Sequence, residues 1–189
     1  MANHPTKTFG LRGPSDLLRK LSFDIRRLEH AEYSDEARFA AFDCALASWH
    51  LVDWILNSVD DDGHLRLCGK LRGAKGVTRG FIEAQRSNLP LLEHCQQIAN
   101  TGKHLVLTLI KDDPLLHAKS SVRFHPPFDL SRPGSWGDSV ARGVAVVEYA
   151  GEQHDASDFF RTVERDWSVL LEREGLIEAE EPEPGNIFS

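Results

Sequence analysis

The chain has no run of about eighteen uninterrupted apolar residues, the length that a membrane-spanning helix needs. Its opening, MANHPTKTFGLRGPSD, lacks the apolar core that marks a secretory signal. These two absences point to a cytoplasmic protein with no membrane partner. Cysteine is scarce. Cys44, Cys68 and Cys95 are an odd number at wide spacing, which fits neither a disulfide framework nor a paired CxxC zinc site, so three reduced thiols are expected. Several catalytic signatures are missing as well: there is no GxSxG nucleophile elbow, no GxGxxG and no HExxH, and GAKGVTRG lacks the GxxxxGK[ST] of a phosphate-binding loop. No internal repeat is visible. No cofactor is expected.

What is present is ordinary globular material: 189 residues, 41% hydrophobic and 27% charged, enough for one compact domain. The domain is expected over residues 1–177, with 178–189 a disordered acidic tail. The net charge is −7, and Glu178, Glu180, Glu181 and Glu183 in that tail supply four of the negatives, leaving −3 on the remainder. Between Arg66 and Arg86 the balance reverses, with six cations facing the single acid Glu83.

Leu17, Leu18, Leu21, Ile25 and Leu28 return at three- and four-residue steps, which predicts a helix over about 15–30 capped by Ser15. A second helix is expected over 34–59, capped by Ser34, apolar on most sides and therefore central, with Trp49 and Trp54 in the core. Glycines at 63, 69, 73, 76 and 80 predict a long, basic, mobile connection, followed by a short helix over 78–86. Asn88 is placed as the cap of the next helix. Residues 119–124 and 140–149 read as a β-hairpin, and Asp155 or Ser157 as the cap of a last helix whose stripe is Phe159, Val163, Trp167, Leu170 and Leu171. The expected fold is mainly α, a helical bundle with a small β insertion at about 117–150 before the final helix.

Three constellations can carry chemistry. On the central helix, Asp43, His50 and Asp53 lie near one face among bulky apolar residues. A bundle that buries such groups must supply partners or a cleft, so the set reads either as an internal hydrogen-bond network or as part of a pocket. Near 100, Asn100, Lys103 and His104 project from one side of a helix end. They read either as a solvated terminus suited to the helix dipole or as a group able to grip a phosphate and move a proton. The third is the glycine-spaced loop with Lys70, Arg72, Lys75 and Arg79, which reads as a solvated surface loop or as a track for an RNA or single-stranded DNA backbone.

The segments FDCALASWHLVDW and CQQIANTGKH on two helices resemble a set of bacterial and phage-borne proteins sharing WHxxDW and IANxxKH-like motifs. More distantly they resemble the HEPN superfamily, over about residues 15–105. HEPN domains are helical bundles, many of them ribonucleases of toxin and antiviral systems, whose motif is an Arg followed after four to six residues by a His. Here Asn100 stands at the Arg-like position, with three residues before His104. The resemblance implies the bundle and draws attention to Asn100, Lys103 and His104. The functional expectation is an RNA-binding or ribonuclease-type protein acting through His50, Asp53, Asn100, Lys103 and His104. The alternatives are a non-catalytic interaction module, as a homodimer for example, and a mononuclear metal site made by His50, Asp53 and His104.

Overall fold

The computed structural model describes residues 8–101, 115–125 and 140–177. Within them the order is α1 (Pro14–Glu29), α2 (Ser34–Ser58), α3 (Asp61–Cys68), α4 (Val77–Gln85), α5 (Leu92–Thr101), β1 (His117–His125), β2 (Val140–Tyr149), β3 (Glu152–Asp155) and α6 (Ala156–Arg173). The described chain is mainly helical, with a small antiparallel sheet of order β1-β2-β3. The acidic tail lies outside the described residues.

Helix α1 buries Leu17, Leu21, Ile25 and Leu28, as its periodicity requires. It begins at Pro14 after Gly13 rather than behind Ser15, because proline at the first helical position has no amide to leave orphaned. Helix α2 starts at Ser34 itself. The expected serine cap is replaced by Glu36, whose carboxylate reaches back to accept from the backbone N–H groups of Glu32 (3.0 Å) and Tyr33 (3.2 Å).

The central place of α2 is confirmed: it packs against all five other helices and against β1 and β2. Ala37, Ala40, Ala45 and Ala47 are buried along it, so neighbours approach its backbone closely. An 18-residue window of α2 has a mean hydropathy of 1.3, apolar enough to cross a bilayer by composition, and half of that window is buried inside the protein. The expected burial of its large aromatics is corrected. Trp49 and Trp54 sit only partly buried at the edge of the core, and Phe39 is 60% exposed. The tryptophan that fills the core is Trp167 of α6, stacked on Phe81 of α4 with ring centroids 6.0 Å apart.

The glycine-rich stretch after α2 is not one mobile connection, for it contains α3 and the start of α4. Asp60 caps α3 by accepting from Gly63 N–H at 2.7 Å. Gly80 lies where α4 crosses the end of α3, and a Cβ there would stand 2.3 Å from the Cys68 carbonyl oxygen. Glycine count predicts a loop, but here the glycines serve helix ends and a close crossing. Asn88 does not cap α5, which begins four residues later. Its side-chain amide donates to Gln85 Oε1 instead.

The hairpin is present, β1 pairing with β2 from His117↔Glu148 to His125↔Val140, and a third strand follows. Ala150 (φ 53°) and Gly151 (φ 82°) make the tight turn between β2 and β3, whose two positive φ values suit the strand twist. Asp155 caps α6 as expected, accepting from Ser157 N–H at 3.0 Å, and the predicted stripe of α6 is buried throughout.

Two joints lock these parts. Arg161 of α6 donates in bidentate fashion to Glu29 of α1, both bonds 2.8 Å, and also to Glu164 at 2.9 Å. The Arg161 hydrogen bonds hold the Glu29 carboxyl below the usual carboxylate range, against a smaller opposing effect of burial. The second joint is Gly143 of β2, whose N–H donates to Glu32 O at 2.9 Å. The backbone passes so close that a Cβ would fall 2.0 Å from the Tyr33 carbonyl oxygen.

Gly143→Ala should therefore lower stability by about 1–3 kcal/mol through overpacking, read by chemical denaturation. A loss below about 0.5 kcal/mol would show that the joint is loose. For the first joint, a folded pKa below the unfolded one gives stability that is full at neutral pH and vanishes as pH falls through the folded value. Glu29→Gln should be less stable than the parent by on the order of 1 kcal/mol or less at neutral pH, the pair being partly solvated. The gap should close below about pH 4, and a gap independent of pH would contradict the pairing.

Candidate functional site

Of the five residues expected to form one catalytic site, Lys103 and His104 lie outside the described residues, and the other three are placed on two helices. Helices α2 and α5 run antiparallel. The Ser48 hydroxyl lies within hydrogen-bonding reach of the Cys95 thiol, and Ile98 and Thr101 meet the region from Arg38 to Phe42. Ser48 thus marks the side of α2 that faces α5. His50 and Asp53 are turned about 200° and 140° from it around the helix, at roughly 100° per residue. Both are exposed. Asn100, half-buried in the last turn of α5, is level with the other end of α2, roughly 12 Å along the axis from His50 at 1.5 Å per residue. Asp43 belongs to a third arrangement, accepting from Arg27 of α1 at 3.1 Å. His50 and Asp53 therefore face away from α5, and the buried carboxylate expected on α2 is found on α1 instead. Asp24, 3% exposed, pairs there with Lys20 and with Arg27 at 3.2 Å.

The basic loop is tied into the fold at several points. The Arg72 guanidinium donates to the carbonyls of Leu56 (2.9 Å) and Val59 (2.8 Å) at the end of α2 and to Asp61 (3.0 Å) at the start of α3. Arg79 pairs with Glu83 at 2.9 Å, and Arg66 with Glu174 at 2.5 Å. The Lys70 stem packs beside Gly80, while Lys75 is exposed. Arg72 thus works as a staple between two helices, and much of the local positive charge is matched by carboxylates.

Among the described residues no group of three or more His, Cys, Asp or Glu side chains could hold a metal ion. All three cysteines are free and buried. Burial raises the Cys44 thiol well above its usual range and pushes Cys95 up to about 12, so neither is a nucleophile at neutral pH. His64 is buried, and its Nδ1–H donates to Lys70 O at 2.9 Å.

The feature that sequence reasoning missed is a cleft of about 350 Å³ between the first half of α2, the end of α5, the inner face of β1 and β2, and the start of α6. Ala145, Val147 and Phe160 form its floor, and Phe39, Phe42 and Ile98 its walls. Arg38 and Lys119 are among the lining residues, Lys119 with its ammonium turned to Glu148 on the opposite face of the sheet, and among the described residues no acid lines the cleft. Its volume is at the lower end of the range of small-ligand pockets. The one local signal was Phe39, a large aromatic just off the buried stripe of α2. Its exposure beside a cavity is what a binding wall requires, but only the packing of the sheet creates the cavity.

Comparison of the chain with protein-family models, with curated proteins and with solved structures gave no match.

The staple role of Arg72 is open to a direct check. Arg72→Ala should lower stability by about 1–2 kcal/mol, since two carbonyl acceptors and an ion pair are lost together, whereas Lys75→Ala should stay within about 0.5 kcal/mol. Equal, negligible effects in chemical denaturation would return Arg72 to the solvated loop.

Proposed function

We propose that the protein is a non-catalytic binding module whose working site is the cleft between α2, α5 and the sheet. The reading rests on one observation: a concave, largely apolar cavity whose lining mixes a few polar groups with aromatic and aliphatic walls, the usual make-up of a ligand site. Large exposed aromatics such as Phe39 cost free energy in water, and a bound apolar group would remove that cost. The ribonuclease reading has less support, because His50 and Asp53 face away from Asn100. A general acid and base must share one substrate within hydrogen-bond reach.

The neutral dye N-phenyl-1-naphthylamine tests this. It should bind saturably at one site per chain with a rise in fluorescence. Ala41→Phe and Ala118→Phe, two substitutions that push a ring into the cleft from opposite walls, should each weaken it about tenfold or more, equivalent to about 1.4 kcal/mol. Unsaturable binding, or binding indifferent to both substitutions, would remove the cleft as the working site.

A further inference from the structure

Strand β1 stands at the edge of the sheet, and among the described residues no strand pairs with its outer side. Its nine residues present a row of backbone N–H and C=O groups there, a template for one more strand. The faces of β1 are poorly covered as well. Ser120 is half-buried, while His117, Ala118, Lys119, Ser121, Val122 and Arg123 are all exposed, Val122 to 47%. The register sorts these residues into two rows. Ala118, Ser120 and Val122 share the face of the buried Val147, Ala145 and Gly143, and the first two line the cleft. Lys119, Ser121 and Arg123 share the opposite face with Val146 and Arg142. Because Ala118 both lines the cleft and is exposed, the hollow opens at the edge strand.

Resting on the reading of the cleft as the working site, we propose that its occupant is an extended segment of a partner protein, laid beside β1 as a fourth strand and alternating apolar with acidic residues. Side chains of such a strand point to the two faces in turn, so one row enters the cleft past Ala118 and Ser120 and the other lies beside Lys119 and Arg123. Main-chain hydrogen bonds to the free edge supply affinity, and the row seated in the cleft supplies specificity. Charge selects the second row. Strand β1 carries Lys119 and Arg123 and no acid. Their present partners, Glu148 and Asp155, stand on β2 and β3, further from the edge than the cations themselves. Arginine has five N–H donors and lysine three, so each can serve a second carboxylate without leaving the first. A second copy of the chain fits badly, because antiparallel pairing of β1 with itself about Ser121 would set Lys119 against Arg123 at two places. Like charges directly opposite each other destabilise a ladder.

The probes are three fluorescein-labelled heptapeptides followed by fluorescence anisotropy. The first is Glu-Val-Glu-Leu-Glu-Val-Glu, the second has every Glu replaced by Lys, and the third, Glu-Glu-Val-Leu-Val-Glu-Glu, keeps the composition and breaks the alternation. The first should bind saturably, displace N-phenyl-1-naphthylamine from the cleft, and bind about tenfold more tightly than either of the others. In the double variant Lys119→Gln, Arg123→Gln the preference for the acidic over the lysine peptide should fall to near one, with dye binding unchanged because both side chains leave on the far face. Successive residues of a strand turn their N–H groups to opposite edges, so one of Ser121→Pro and Val122→Pro removes only an outward N–H. The one that melts like the parent should lose the acidic peptide and keep the dye. If neither folds, the double glutamine variant decides alone. Equal binding of the three peptides, an acidic peptide that leaves the dye in place, or a folded proline variant that binds like the parent would overturn the added strand. So would a parent that sediments as a dimer and is split by the acidic peptide, which would give the edge to a second copy. Absence of saturable dye binding would instead overturn the cleft itself.

Discussion

Helix α2 carries apolar or small side chains around most of its circumference, and the rest of the described chain is arranged by the need to cover it. Leu51, Val52, Ile55 and Leu56 are buried at its C-terminal half, where α1, α6 and the short helices close in. Its N-terminal half is built on alanines, which offer little side-chain volume but allow close approach of whatever lies opposite. What lies opposite is a sheet as well as helices, for α2 also packs on β1 and β2. A helix whose N-terminal half meets both helices and a twisted sheet leaves room where the two kinds of neighbour part, and the cleft is found there.

Charge organises the joints that the apolar core leaves unspecified. Asp24 is buried on α1 with Lys20 and Arg27 on it, and Arg27 continues to Asp43 of α2, so one network fixes how the first two helices meet. Breaking such a network would strand a buried carboxylate, which makes it more useful for register than for net stability. Arg161 does the same between α6 and α1, and Arg66 and Arg173 converge on Glu174 beyond the end of α6. Several arginines that a reading of charge alone would assign to an anionic partner are thereby occupied within the fold. Arg38 and Lys119 differ in that Arg38 pairs with an Asp35 as solvated as itself at the edge of the cleft, while Lys119 pairs with Glu148 on the face of the sheet turned away from it.

Local pattern was sufficient wherever one face of an element decided its conformation. The three- and four-residue return of leucines in α1, the stripe of α6 with its Asp155 cap and the β-branched runs of β1 and β2 are properties of neighbouring residues, and each element stands where its period placed it. The same kind of reading failed between α2 and α5. Five glycines lower the helix propensity of 63–80 by enough to suggest a loop, yet capping by Asp60, the Arg72 staple and the close crossing at Gly80 outweigh that cost.

From the sequence alone came the mainly helical class, the central helix and the sheet insertion before α6, because burial of a periodic apolar face is dictated by the chain's own spacing. Only the tertiary structure decided which side of α2 is covered. On a helix apolar nearly all round, no periodicity says whether His50 and Asp53 or Ser48 will face a neighbour. The answer depends on where α5 lies, and Cys95 against Ser48 sets it. The exposure of Phe39 and the cleft beside it are decided in the same way, by the mismatch between helical and sheet neighbours across residues more than a hundred positions apart, which no local pattern encodes.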